Sequence, residues 1–338
     1  MPWKKAGTNR TMTNTQEMST DYTPLVLVHS DEYKNWVFDP THPTQGRRFI
    51  NGRNAIIEQW SGQVTELAPR LATLSELSLV HSPAYINSVI EDGLCEQWSG
   101  SRMDLADLAQ KFVGGTLVAL NELLSGRTLR AVHLPGAKHH AQYDRSSGFC
   151  VFADFAIAAH IAVSHGLKVA IFDFDAHHGD GTENLCRSNP NILTYSIHQR
   201  GIFPGTGLEN VEAEHVYNQA ISPSNDNGEQ LVLAGLEFTD LARDFGADII
   251  FVAAGADGHR LDRLSGLQYY EGVVFKLMGN FSHHFSSTPI LIGGAGGYEP
   301  DDATPAMWRE SVNGAMCWVE SHARDLRQPS GISLDGAL

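Results

Sequence analysis

Six short apolar runs constrain what this chain can fold into more than anything else in it. They are "TPLVLVHS" (23–30), "LRAVHLPG" (129–136), "KVAIFDFD" (168–175), "NILTYSIH" (191–198), "DIIFVAAGAD" (248–257) and "PILIGGAGG" (289–297). Several lack the polar alternation of a strand with one wet face, so they read as parallel strands covered on both sides. Amphipathic stretches separate them at about 51–62, 83–92, 104–125, 151–165, 228–245, 268–286 and 303–322. The alternation predicts right-handed βαβ units and an α/β fold, a mainly parallel sheet with helices on both faces. No internal repeat, low-complexity linker or boundary divides it. A single domain is expected over 23–325, between a Thr/Asn/Ser-rich flexible tail at 1–22 and a short tail at 326–338.

Most of these strands run apolar and then end in chemistry: "HLPGAKHH", "FDFDAHHGD", "YSIHQRG", "AAGADGHRLD" and "GGAGGY". Ligands of open α/β sheets bind beyond the carboxyl ends of the strands, so one site built from several loops is expected. Asp173, Asp175 and His177 are spaced by two, which points all three to one side of an extended segment. Such a set suits a divalent metal of the zinc type, or else a salt-bridged or capping cluster at a strand-to-helix turn. His139 and His140 can both line a loop-built pocket. Asp257, His259 and Asp262 follow another apolar run, and the glycines before Tyr298 let the backbone approach a ligand closely. Together these residues are the inventory of a metal-dependent amide hydrolase.

The ordered set "KHHA…SGFC", "DFDAHHGDGT", "FPGTG", "GADGHRLDRL" and "GGAGGY" resembles the zinc-dependent deacetylases of the arginase/deacetylase superfamily. These include histone deacetylases, acetoin-utilisation proteins and acetylpolyamine amidohydrolases. "HPTQGRR" (42–48) resembles a further segment of the family, and the likeness spans roughly 25–322. It implies that Asp175, His177 and Asp262 ligate one Zn2+, with Fe2+ or Co2+ as alternatives. It makes His140 the general base and His139 its electrostatic partner, oriented by Asp180 and Asp173 respectively. Tyr298 becomes the donor to the oxyanion. Phe149 and Phe203, with Gly148, Gly296 and Gly297, are expected to wall a substrate channel, and Leu267 to line its rim. Asp173, Asp175, His177, Ser196 and Ile197 match a potassium (K+) site of some relatives.

The resemblance implies hydrolysis of an N-acetylated amine, either acetyl-lysine in a protein or peptide or a small cationic acetylated amine such as an acetylpolyamine. The stretch before the His pair is too short for the long insertion of acetylpolyamine amidohydrolases, which favours acetyl-lysine. A two-manganese ureohydrolase fits less well, because Gly179 stands where its DAHxD motif needs a carboxylate. A non-catalytic acyl-lysine binder fits less well because His139, His140 and Tyr298 are intact. Lys138, where many relatives carry Gly or Phe, is expected to add positive charge near the pocket mouth.

Composition narrows the partners. A net charge of −15 argues against nucleic acid or an anionic membrane, since both demand basic surface. Either cationic substrate suits it equally. Cys95, Cys150, Cys186 and Cys317 form no CxxC pair, and no apolar stretch reaches transmembrane length. A reducing, cytoplasmic location is therefore expected.

Overall fold

The structure, a computed structural model, describes residues 22–319. The two expected tails lie outside these residues, Tyr22 excepted. The strands are β1 (Leu25–Val28), β2 (Val64–Leu67), β3 (Arg130–His133), β4 (Val169–Asp173), β5 (Ile192–Gln199), β6 (Val216–Ile221), β7 (Ile249–Ala253) and β8 (Ile290–Gly293). They form one sheet in the order β2-β1-β3-β8-β7-β4-β5-β6, every neighbour parallel. The helices are α1 (Arg47–Gln59), α2 (Leu74–Leu77), α3 (Pro83–Ile90), α4 (Met103–Leu124), α5 (Asp154–Ser164), α6 (Asp180–Cys186), α7 (Asn227–Phe245), α8 (Glu271–His284) and α9 (Ala303–Ala315). This is the α/β architecture that the alternating pattern predicts. Among the described residues no helix is long and apolar enough to cross a membrane.

The β4–β7 register shows how both faces are covered. Phe172 pairs with Val252 and Ile171 with Phe251, so the two phenylalanines point to opposite sides of the sheet. Phe172 packs on Phe238 of α7 at 5.0 Å and on Phe281 of α8 at 5.1 Å. Phe251 meets Phe155 of α5 at 5.3 Å on the other side. Burying one such ring stabilises the fold by roughly 1.5–3 kcal/mol.

Two strands escape the apolar-run pattern. β2 and β6 are the sheet edges, and their central residues are half-buried or exposed. An edge strand with a wet side needs no apolar run, so its sequence reads as loop.

Two buried polar residues serve the frame. Arg130, at the start of β3, is fully buried and donates to four carbonyls. Nε reaches Ala315 at 2.8 Å, Nη1 reaches Leu129 and Thr288 at 2.8 and 2.9 Å, and Nη2 reaches Phe285 at 3.2 Å. Those bonds tie the ends of α8 and α9 to the sheet. His81 is equally buried: Nδ1 donates to the Gln142 carbonyl at 2.8 Å and Nε2 accepts the Ala153 N–H at 2.9 Å. With both nitrogens committed in this way the ring is neutral, and burial lowers its pKa to about 4.

Because all strands are parallel, the segments after β3, β4, β5, β7 and β8 leave the same edge of the sheet. That edge carries the chemistry.

Candidate active site

β4 ends at Asp173, and the chain beyond it folds around its own carboxylates. Asp173 Oδ1 accepts the Asp175 N–H at 3.0 Å, and Asp175 Oδ1 accepts the His177 N–H at 2.9 Å. From the segment after β8, Gly296 N–H donates to Asp175 Oδ2 at 2.6 Å. A Cβ on Gly296 would lie 2.5 Å from that oxygen, so only glycine allows the approach. After β7, Asp257 accepts the Ala176 N–H on Oδ1 at 2.9 Å and turns Oδ2 to His177 Nδ1 at 2.8 Å.

Asp175, His177 and Asp257 therefore each offer one ligand atom, all within 4.8 Å of one another. The donor set fits a divalent ion of the zinc type: one imidazole and two carboxylates, buried, with backbone N–H groups holding the outer oxygens. Like charge at close range supports the same fit. Burial and the neighbouring Asp175 carboxylate push Asp257 up to about 7, and a bound cation relieves that repulsion.

Asp257 stands in this cluster beside two of the three residues that the resemblance names, Asp175 and His177. Asp262, the third, is buried, with Oδ1 accepting the Leu264 N–H at 2.9 Å and Oδ2 the Tyr298 N–H at 2.7 Å. Each oxygen accepts one N–H and keeps a lone pair for an ion, and the second bond also fixes the main chain of Tyr298. Burial pushes its pKa up to about 6, and Asp175 is among the charges that act on it.

The His pair follows β3. His139 Nδ1 bonds Asp173 Oδ2 at 2.7 Å, and His140 Nδ1 bonds Asp180 Oδ1 at 2.7 Å. Asp180 is the first residue of α6, and Gln142 Nε2 holds its other oxygen at 2.8 Å. The rings of His139 and His140 are 4.0 Å apart, and that of His140 is 6.1 Å from His177. Their charge states differ. Burial opposes charge on His139, but the carboxylates of Asp173 and Asp175 prevail and raise it to about 9. Burial lowers His140 to about 4, and the neighbouring His139 adds to the effect. One ring is a cation at neutral pH, and the other is a neutral base whose Nδ1–H is held by Asp180.

Tyr298 is fixed from several sides. Besides the Asp262 bond, its ring meets Phe149 at 5.9 Å and lies 5.5 Å from the guanidinium of Arg48. Burial, with Asp257 and Asp175, raises its pKa well above the usual tyrosine value, so its hydroxyl stays a donor. Arg48 itself is buried and donates to the Gly297 carbonyl at 2.6 Å. It went unassigned in the sequence reading, although "HPTQGRR" contains it.

Phe149 and Phe203 stand against different members of the site, Phe149 beside Tyr298 and Phe203 beside His140 at 5.0 Å. Phe203 is half exposed. A Cβ on Gly148 would lie 2.2 Å from the His140 ring. Leu267 does not line a rim, because it is wholly buried in the core. Lys138 is also misplaced by the sequence reading. It is 5% exposed, with its ammonium 5.4 Å from the Phe112 ring and 5.8 Å from the Phe49 ring. Of the potassium candidates, Asp173 and Ser196 stand opposite in the β4–β5 register, with Ile197 next along β5 and Asp175 and His177 just past β4.

Comparison with known proteins places the fold and the family. Residues 41–315 match the model of the histone deacetylase domain. The chain is 30% identical over 333 residues to the acetoin utilization protein AcuC of Bacillus subtilis (strain 168), covering 89% of this chain and 82% of that one. It is 29% identical over 306 residues to AcuC of Staphylococcus aureus (strain Mu50 / ATCC 700699), covering 83% and 79%. The crystal structure of the HDA15 HD domain superposes with a TM-score of 0.78 at 20% identity, over 87% of this chain and 90% of that one, which speaks for the fold. The chain belongs to the histone deacetylase family and is a deacetylase, a hydrolase acting on amides.

Proposed function

We propose that this deacetylase removes the acetyl group from acetyl-lysine in a protein or peptide, with Asp175, His177 and Asp262 holding one catalytic Zn2+ and Asp257 beside them as the partner of His177. The observation that carries this reading is the pairing of a three-donor cluster with two carboxylate-backed histidines and a tyrosine at one sheet edge. When bound, the cation supplies Lewis acidity to the amide carbonyl and to the attacking water.

The rest is the work of this chain's side chains. His140, neutral and held through Nδ1 by Asp180, takes the proton of the attacking water and later delivers one to the leaving amine. His139, held by Asp173, carries positive charge beside it and keeps its basicity low enough for that return step. Tyr298 donates its hydroxyl hydrogen to the carbonyl oxygen as negative charge develops there. Phe149 and Phe203 flank the path of an aliphatic lysine stem. Asp173, Ser196 and Ile197, with the backbone at Asp175 and His177, are our proposal for a K+ site under the loop.

A reducing cytoplasmic setting suits the four free cysteines. The substrate is tested by kcat/KM of the zinc-loaded protein on an acetyl-lysine peptide and on acetylspermidine. A clear peptide preference is expected, and a preference for acetylspermidine would overturn the acetyl-lysine reading in favour of a polyamine amidohydrolase.

A further inference from the structure

Two backbone N–H groups just ahead of the His pair go to a carboxylate that the mechanism leaves unused. β3 ends at His133, and the chain turns through 134–138 before it reaches His139. Within that turn Ala137 has φ +62°, in the left-handed region that residues with a Cβ rarely adopt. Asp154, the first residue of α5, meets the turn there. Its Oδ2 accepts the Ala137 N–H at 3.0 Å and its Oδ1 the Lys138 N–H at 2.7 Å. The Ala137 carbonyl in turn accepts the His139 N–H at 3.0 Å, so the conformation of Ala137 sets where the His pair begins.

The carboxylate is itself held from behind. Thr116 of α4 donates its hydroxyl hydrogen to Asp154 Oδ2 at 2.5 Å. With that hydrogen spent, the Thr116 oxygen accepts from His133 Nδ1 at 2.9 Å. His133 Nε2 then accepts the hydroxyl of Tyr33 at 3.0 Å. Burial lowers the His133 pKa to about 3, so its ring is neutral and carries the single N–H that this order of donors needs. Tyr33, His133, Thr116 and Asp154 are wholly buried, and they come from four elements: the short 3₁₀ turn Asp31–Asn35, β3, α4 and α5. A Cβ on Gly115 would lie 2.4 Å from His133 Nε2, so glycine is needed for α4 to come this close. A buried carboxylate is costly unless donors surround it, and this one has three. Two of them are the main chain that leads into the His pair.

We propose that Asp154 is a positioning residue of the deacetylase. It holds Ala137 in the left-handed conformation, with the Thr116–His133–Tyr33 chain behind it, and so fixes where His139 and His140 stand beside the metal cluster. The inference rests on the reading of His140 as general base. Proton transfer needs aligned partners, and a displacement of about 1 Å costs about 10²-fold in rate.

The test compares the zinc-loaded wild type with Asp154→Asn, Ala137→Gly and the double variant, on the better of the acetyl-lysine peptide and acetylspermidine. Asparagine keeps the shape of the side chain but turns an NH2 toward one of the two N–H groups, so the turn loses half its hold. Asp154→Asn is expected to keep about one zinc per chain, to change KM less than about threefold and to lose about 10–100-fold in kcat. Glycine adopts a positive φ without the cost that alanine bears. Measured against Ala137→Gly, the double variant is expected to recover at least about fivefold of the lost kcat. A merely structural Asp154 would leave that loss in place, because Ala137→Gly mends the turn and not the packing of α5.

Should Asp154→Asn fail to fold, Thr116→Val with and without Ala137→Gly asks the same question, with a loss of about threefold expected and then restored. A kcat within about threefold of wild type in Asp154→Asn, or a loss that Ala137→Gly does not restore, would overturn the proposal. In the Thr116→Val pair, an absent or unrestored loss would overturn it equally. Near-normal kcat in His140→Ala would overturn the general-base reading, and the positioning role with it.

Discussion

Strand β3 carries a buried cation at its amino end and another just past its carboxyl end, and their surroundings differ in kind. Arg130 donates four hydrogen bonds to carbonyls of the frame. Lys138 donates none from its ammonium to any described group. The same contrast separates His81, whose two nitrogens are both committed to backbone, from His140, whose Nδ1 is held by a carboxylate partner. Burial and charge are alike within each pair. What distinguishes frame from site is whether the group's hydrogen-bonding capacity has already been spent inside the fold.

Substitutions can break this contrast, and the largest effect is expected at the His pair. His140→Ala should keep its metal and lower kcat by roughly 10²–10⁴, because the proton carrier is lost. Steady-state kinetics with metal analysis checks it, and near-normal turnover would remove His140 from the mechanism. Arg130→Met should do the reverse. It takes a donor from four carbonyls, of which those of Leu129 and Phe285 keep a backbone N–H, so unfolding is expected to become easier by about 2–4 kcal/mol while the folded fraction keeps its kcat. Denaturant melts beside active-site titration separate the two quantities.

Tyr298→Phe should retain zinc and lose about 10²–10³ in kcat with a smaller change in KM, as expected for a donor that acts on developing charge. The smallest effect sharpens the His81 comparison. Its folded pKa of about 4 lies below the unfolded value of 6.5, so the unfolded chain binds the proton first as pH falls. The stability that the neutral ring contributes is complete above pH 6.5 and is lost between there and about pH 4, by roughly 3 kcal/mol. His81→Gln, which can donate to Gln142 and accept from Ala153, should flatten the stability-versus-pH curve by up to one proton in that window. An unchanged slope would mean that His81 is not held neutral.

The legible part of this molecule was the part where local pattern and tertiary role coincide. The β3, β4, β7 and β8 strands are buried on both faces and so announce themselves as apolar runs ending in polar residues. β2 and β6 do not, because a sheet edge leaves half of each strand wet. α6 was hidden because it opens on Asp180 and Gly181, residues chosen for the site and for close packing rather than for helix propensity.

At the site, the spacing of Asp173, Asp175 and His177 was readable because an extended segment makes spacing into direction. Beyond β7 the chain turns, and there sequence distance no longer says which carboxylate faces inward. Asp257, which joins Asp175 and His177 in the cluster, therefore had no role assigned to it. Leu267 and Lys138 were placed at the rim for a related reason, since the sequence shows neither residue's depth. A lysine is read as exposed by default, and only the fold reveals one buried among Phe49, Phe112 and Arg48.

The carboxylate that completes the metal set with Asp175 and His177 gives the most direct test of the whole account. The measurement is zinc content by mass spectrometry, with turnover in parallel, for Asp262→Ala and Asp257→Ala. The account predicts that Asp262→Ala loses its zinc and its activity, while Asp257→Ala, which removes a partner of His177, weakens zinc by about 10–100-fold. Zinc retained at full strength by Asp262→Ala and lost from Asp257→Ala would contradict it.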